Sequence, residues 1–252
     1  MDLYEAIFVR KSVRKYSFEK IDDQKLDEIR KHYQSLFSLF GRIASDIAII
    51  DNTKKQFFGS GFLSVQAPYY IVFYTEDLPR NLMNVGYMMQ EMSLFLTTMG
   101  LGSCMLGHTR VKKGLNNKNG LQIAGLMAFG EAKGKATRRH SEARRLSIDD
   151  LCVFKEMPRQ WVKQLLEAAR LAPSYMNTQP WRFVVYDHKI HIFSRKSKKV
   201  SRWEEINFGI MFANIMIAAE ELWLDVDLIR LEEITQKQLP NNRYVLSAVL
   251  KD

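Results

Sequence analysis

The chain has 252 residues, 46% hydrophobic and 26% charged, an ordinary globular composition with room for one large domain or two small ones. Its net charge of +9 suits anionic partners, but the cations are spread out, densest at 133–145 and 195–202, with no reading helix or RNP-type pattern; nucleic acid is not the expected partner. Cys104 and Cys152 give no metal spacing or disulfide framework, and Asp2 and Glu5 interrupt any apolar leader, so a cytoplasmic protein with reduced thiols and no metal is expected.

Residues 2–9 read as a short helix, with Asp2 as N-cap and Leu3, Ile7 and Phe8 as its apolar positions. It delivers Arg10-Lys11-Ser12-Val13-Arg14, whose cations and hydroxyl suit a phosphate, although most short basic runs are solvated surface. A helix follows over 22–40, then an irregular stretch over 41–66. Residues 67–74 read as a strand and 82–99 as a helix whose methionines have the spacing of core filler. The uncharged stretch 92–109 is rich in Gly, Ser and Thr, which favours a helix ending in a Gly-rich loop over a membrane span. That loop covers 100–108; its His108 is a proton-donor candidate left outside the catalytic set. Residues 121–129 read as a strand and 130–145 as a basic linker in which Arg138 and Arg139 are solvated.

Residues 161–171 form a helix with apolar residues at 161, 162, 165, 166 and 169, ended by Pro173. Pro180 opens a buried strand. Between them stand Ser174, Tyr175, Asn177 and Gln179. Two carboxamides that both donate and accept suit the edge of a planar ring, and suit equally an Asx turn that satisfies its own backbone. An extra short strand over 190–193, a second apolar helix over 203–222 and a last strand over 244–250 complete the chain.

Ser174, Asn177, Gln179, Pro180 and Trp181 resemble the S-x-x-N-x-Q-P-W segment of the FMN-dependent nitroreductase superfamily. Arg10 to Arg14 resemble its basic flavin-phosphate segment, and Gly100-Leu101-Gly102-Ser103-Cys104 resembles the stretch before the turn at the flavin's reactive face. In that family two subunits intertwine around FMN, one supplying the basic segment and the other the amide-rich one. The resemblance implies an α+β fold with antiparallel-rich sheets and central packed helices. It implies phosphate contacts from Arg10, Lys11, Ser12 and a late basic residue before Leu146, best Arg145 and next Arg144. Arg14 would lie at the pyrimidine edge, and the backbone amides of Leu106 and Gly107 near N5. Pro173, Ser174, Tyr175 and Asn177 would meet the ring and ribityl chain, with Gln179 beside or behind them. No protein group need act as nucleophile. NAD(P)H would be the reductant and a nitroaromatic, quinone or other small molecule the acceptor, in ping-pong order. A flavin-binding protein for storage or sensing would use the same residues.

The chain also resembles itself. Asn84-Val85-Gly86-Tyr87-Met88 matches Asn207-Phe208-Gly209-Ile210-Met211 at an offset of 123 (207 − 84), Pro68-Tyr69 matches Pro180-Trp181 at 112 (180 − 68), and Phe18 matches Phe154 at 136 (154 − 18). Two related halves, 1–140 and 141–252, would then form a pseudo-dimer within one monomeric chain, the fused tandem TM-nitroreductase type, with the two long helices packed together. At these offsets Arg10, Ser12 and Arg14 fall on Leu146, Ile148 and Asp150, while Asn177 and Gln179 fall on Val65 and Ala67. One position keeps both half-sites and the other loses both, so one FMN per chain is expected.

Overall fold

The computed structural model describes residues 1–55, 65–107, 113–195, 202–235 and 241–251; His108 lies outside them. The chain divides into two compact units, Met1–Ala143 and Arg144–Asp252.

In the first unit, helix α1 (Leu3–Val9) starts at the expected cap: Glu5 N donates to Asp2 Oδ1 at 2.7 Å and Asp2 N to Glu5 Oε2 at 3.2 Å. Helix α2 (Asp23–Ser35) is capped by Asp22 and ends before the expected residue 40. Its last turn closes on itself, Ser35 Oγ donating to His32 O at 2.8 Å, and Leu36 is already extended. Strand β1 (Ser45–Asp51) occupies the stretch expected to be irregular, and pairs along its length with β2 (Tyr69–Thr75). As an edge strand it is only partly buried, which weakens its sequence signal. After α3 (Asn81–Thr98) comes β3 (Gly102–Leu106), a strand where a Gly-rich loop was expected. Strands β4 (Asn117–Lys118) and β5 (Leu121–Gly130) follow. The antiparallel sheet has the order β1-β2-β5-β3, with β4 beside β5. Strand β2 is buried on both faces. Tyr69, Ile71 and Phe73 join a core that includes Leu26, Ile29 and the methionines Met88, Met89 and Met92. Tyr70, Val72 and Tyr74 pack with Val13, Tyr16 and Cys104.

His32 of α2 stacks on Phe95 of α3, with centroids 3.8 Å apart and planes 10° from parallel. Its Nε2 is buried without a hydrogen-bond partner among the described residues, and burial pushes its pKa down to about 4. A histidine with a depressed folded pKa contributes fully above its unfolded value near 6.5 and loses that contribution as pH falls toward the folded value. The melting temperature should therefore fall between pH 6.5 and 4, and His32→Leu should flatten that part of the profile. An unchanged profile in the variant would place the acid sensitivity elsewhere.

In the second unit, Ser147 caps the single turn α4 (Ile148–Leu151), followed by β6 (Cys152–Phe154), α5 (Gln160–Leu171), β7 (Trp181–Val185) and β8 (Lys189–Arg195). Then come α6 (Arg202–Glu221), β9 (Val226–Ile229), the single turn α7 (Glu232–Thr235) and β10 (Asn242–Leu250). The sheet order is β6-β7-β8-β10-β9, antiparallel except for the β6–β7 pair. Strands β6 and β9 are too short to announce themselves in sequence. Helix α5 buries Val162, Leu165, Leu166 and Ala169 and packs on α6, which is apolar nearly all round.

Strands β7 and β8, helix α6 and strands β9 and β10 repeat the order and neighbours of β1, β2, α3, β3 and β5. In each sheet the last strand bulges once against the second: Ala124 is skipped opposite Phe73 and Tyr74, and Val245 opposite Ile192 and Phe193. Phe73 therefore corresponds to Ile192, an offset of 119 (192 − 73). Through the ladders Ile47–Phe73 and Phe183–Ile192, Ile47 corresponds to Phe183, an offset of 136 (183 − 47). The expected match of Pro68-Tyr69 with Pro180-Trp181 is thus wrong: Trp181 corresponds to Ser45. Residues 190–193 are not an extra strand but the counterpart of β2. Both β2 and β7 follow a proline with an aromatic run, and only their sheet neighbours tell them apart.

The two long helices end alike. Leu101 N donates to Leu96 O at 2.8 Å and Leu224 N to Ala219 O at 2.9 Å, each across a residue of positive φ. In α3 that residue is Gly100 (φ 77°); after α6 it is Trp223 (φ 56°), which is 96% exposed. A side chain in the left-handed region with nothing to pack on is destabilising, so Trp223→Gly should raise stability by about 1 kcal/mol in urea unfolding. A loss of stability would mean that the indole makes a contact worth more than the strain. Among the described residues no helix is long and apolar enough to cross a membrane.

Candidate functional site

Two local constellations carry the residues singled out by sequence, one in each unit. In the first unit, β3 is an edge strand, and the basic segment runs along its open side. Ser12 bridges Ser103 in parallel fashion, and Val13 N donates to Ser103 O at 2.9 Å. Segments ninety residues apart in sequence are thereby joined. Gly102 makes the approach possible: a Cβ there would lie 2.7 Å from Val13 Cγ2. Ser103 Oγ shares a 2.8 Å hydrogen bond with Ser93 Oγ of α3, which fixes the strand from behind. Arg10 is buried at the end of α1, bridging Thr137, while Lys11 and Ser12 are half-buried and Arg14 is exposed. Burial pushes the Cys104 thiol up, against the opposing pull of the Arg14 and Arg10 charges and the Ser12 hydroxyl.

Of the two amides expected near a flavin, Leu106 is the last residue of β3 and Gly107 lies just beyond it. Ser103 turns its carbonyl outward to Val13, so by strand alternation Leu106 points its backbone back at β5, and Gly107 follows in a bend beyond the strand. Arg138 is not the solvated residue expected: its N donates to Val9 O at 2.8 Å and its Nη1 to Phe8 O at 3.1 Å, closing the end of α1. Arg139 is solvated as expected, in a surface ion pair with Glu142.

In the second unit, Ala172 ends α5 before Pro173, and the chain makes one 3-10 turn over Tyr175–Asn177 before β7. Three residues there other than glycine have positive φ: Met176 (48°), Asn177 (56°) and Gln179 (44°). Such conformations persist only when the surroundings over-determine them. Arg145 supplies much of that restraint. Its Nε donates to Ala172 O (3.1 Å), its Nη2 to Leu171 O (3.2 Å), and its Nη1 to Asn177 Oδ1 and Arg144 O (each 3.0 Å). Asn177 Nδ2 returns a bond to Arg144 O at 3.0 Å. The fork expected on a phosphate is thus engaged at the end of α5, and Arg145 is a brace for Asn177. Arg144 is exposed and takes part through its carbonyl.

Gln179 is buried, accepts from Leu146 N at 2.8 Å and donates to Asn177 O at 3.2 Å. It is a support for the segment rather than part of its surface. Ser174 Oγ accepts from Gln179 N at 2.9 Å and keeps its own proton to donate. Asn177 is exposed and keeps one lone pair and one N–H beyond its braces. Tyr175 stacks on Trp203, and its N donates to Asn207 Oδ1 at 2.8 Å. Arg182 Nη1 donates to Gln179 O at 3.2 Å and to Trp181 O at 2.6 Å, and burial together with nearby Arg195 pushes its pKa down.

A family profile described as "Putative TM nitroreductase" matches residues 2–219. The chain belongs to that family. Among solved structures, a putative nitroreductase from Thermotoga maritima MSB8 aligns with a TM-score of 0.63 at 20% identity, over 99% of this chain and 94% of that one. A nitroreductase family protein from Clostridium difficile 630 aligns at 0.51 and 15% identity, over 62% of this chain and all of that one. A nitroreductase with bound FMN from Desulfitobacterium hafniense DCB-2 aligns at 0.46 and 18% identity, over 58% of this chain and all of that one. The first two show the mixed α+β nitroreductase fold. No curated protein matches the chain.

Sequence reasoning missed Trp203, Asn207 and Arg182 as neighbours of the amide-rich segment. The Asn-x-Gly-x-Met repeat had marked Asn207, but only as an alignment anchor. Among the described residues no group of His, Cys, Asp and Glu is placed to hold a metal.

Proposed function

We propose that the chain is an FMN-dependent oxidoreductase that uses NAD(P)H to reduce small acceptors such as quinones or nitroaromatics. Bound FMN would supply the hydride chemistry, taking and passing on reducing equivalents in ping-pong order. Arg10, Lys11 and Ser12 hold its phosphate, and Arg14 bears on the pyrimidine edge. The backbone N–H of Gly107 meets the reactive side of the ring. Ser174, Tyr175 and Asn177 meet the ring and ribityl chain, braced by Arg145 and Gln179. One observation carries the reading: Ser12 pairs with Ser103, drawing together two distant segments that the family resemblance assigns independently to one cofactor.

The chain is also read as an internal duplication working as a monomeric pseudo-dimer in the cytoplasm. The repeated strand order and the matched bulges support the duplication. At the corrected offset of 136 (177 − 41), Asn177 and Gln179 fall on Gly41 and Ile43, neither of which has a carboxamide. Leu146, Ile148 and Asp150 still answer to Arg10, Ser12 and Arg14, and the Asp150 carboxylate is engaged in the Ser147 cap. The expectation of one FMN per chain survives the change of register.

The test is the visible spectrum and flavin content of purified protein, with NADH and NADPH oxidation followed in the presence of menadione or nitrofurazone. About one FMN per chain is expected. Arg14→Ala removes an exposed cation and should weaken FMN binding about tenfold without changing stability, the worth of one charge-assisted contact. A protein that neither carries nor takes up FMN would reject the reading. Flavin uptake without turnover would favour storage or sensing.

A further inference from the structure

The two units grip corresponding loops in the same way. In the first, Asn84 Oδ1 accepts from Phe40 N at 3.2 Å, and the Arg80 guanidinium lies over the Phe40 ring, 5.5 Å from its centroid. In the second, Asn207 Oδ1 accepts from Tyr175 N at 2.8 Å, and Trp203 stacks on the Tyr175 ring, with centroids 5.1 Å apart and planes 16° from parallel. Arg80 and Trp203 are 123 residues apart (203 − 80), as are Asn84 and Asn207 (207 − 84). Each long helix thus opens with a side chain that covers a loop ring, and an Asn one turn on holds that ring's own N–H. Both asparagines are buried, so the bonds are shielded from water.

The loops differ in what they carry. Residues 36–44 contain no Asn or Gln. Residues 172–180 contain Ser174, Asn177 and Gln179 and three strained backbone positions in a row of four. Strain of that kind needs fixed points on both sides. Arg145 and Gln179 secure the end toward β7 and the end of α5. The clasp secures Tyr175, at the start of the turn.

We propose that Asn207 and Trp203 are positioning residues of the flavin segment, acting through Tyr175 to hold Ser174 and Asn177 in the shape that meets the cofactor. This rests on the FMN reading above. Asn84 and Arg80 make the same clasp on a loop with no ligand, where it serves folding alone. The chain thereby contains its own control.

The experiment compares Asn207→Ala with Asn84→Ala in FMN titrations, thermal melts and amide exchange of the flavin-free protein at residue 175. Both variants should lower the melting temperature. Only Asn207→Ala should raise the FMN dissociation constant, about tenfold for one buried hydrogen bond lost, and speed exchange at Tyr175 by a similar factor. Asn84→Ala should bind FMN within twofold of wild type. Should Asn207→Ala fail to fold, Trp203→Ala with Arg80→Ala as its control carries the test, since the Trp203 ring is half-exposed and its loss tolerable. Equal FMN affinity in the paired variants, or unchanged exchange at Tyr175, overturns the proposal. Wild-type protein that takes up no FMN defeats the functional reading instead, and exchange at Tyr175 then decides whether the clasp orders the segment.

Discussion

Arg145→Ala is expected to cost about 2–4 kcal/mol in urea unfolding and to weaken FMN binding at least about tenfold. The guanidinium closes the end of α5, which would otherwise leave the carbonyls of Leu171 and Ala172 without their donor. It also fixes the carboxamide of Asn177, which in turn holds Arg144 O. Removing it releases a helix end and a backbone held at positive φ together. Arg145→Lys should recover only part of the loss, because an ammonium cannot reach carbonyls and a carboxamide through one planar fork. A variant within about 0.5 kcal/mol of wild type would show that the segment keeps its shape without the brace. A stable variant with normal FMN affinity would remove Arg145 from the site altogether.

Gly102→Ala is expected to cost about 1–3 kcal/mol, the usual range for overpacking, and to weaken FMN binding with it. The new methyl would lie 2.7 Å from Val13 Cγ2 and 2.8 Å from Val13 Cβ, and a β-branched side chain has little freedom to yield. Relief requires the basic segment to move off the edge of β3, which breaks the Val13 N to Ser103 O bond. Gly41→Ala is the natural comparison, since a Cβ there meets nothing within 4 Å among the described residues and its φ is not in the left-handed region. Its stability should stay within about 0.5 kcal/mol of wild type. If Gly102→Ala also melts and binds as wild type, the close approach of the two segments is not what shapes this edge.

Much of the fold was legible because its signals are local. Asp2 as a cap, and the helix expected from residue 22, are helix starts that the structure has. The apolar spacing in α5 and the long uncharged runs of α3 and α6 announced buried helices. Strands β2, β5 and β10 were visible as apolar runs. Strand β1 was not, because an edge strand is half-buried, and β3 was not, because Gly102, which reads as part of a loop, is there to admit Val13.

The site shows the same division. Residue types gave a basic segment of the kind that suits a phosphate and an amide-rich turn, and only the family resemblance gave either a role. They could not say that Gln179 faces inward to Leu146 N, that Arg145 braces Asn177, or that Leu106 turns back toward β5. Nor could they choose between two alignments of the halves, since Pro-aromatic runs precede both β2 and β7. Caps, periods and residue chemistry act within a few residues and are written in the chain. Which strand lies beside which, and which way a side chain turns, depends on pairing between segments far apart, and only the folded sheet with its bulges and edges settles that.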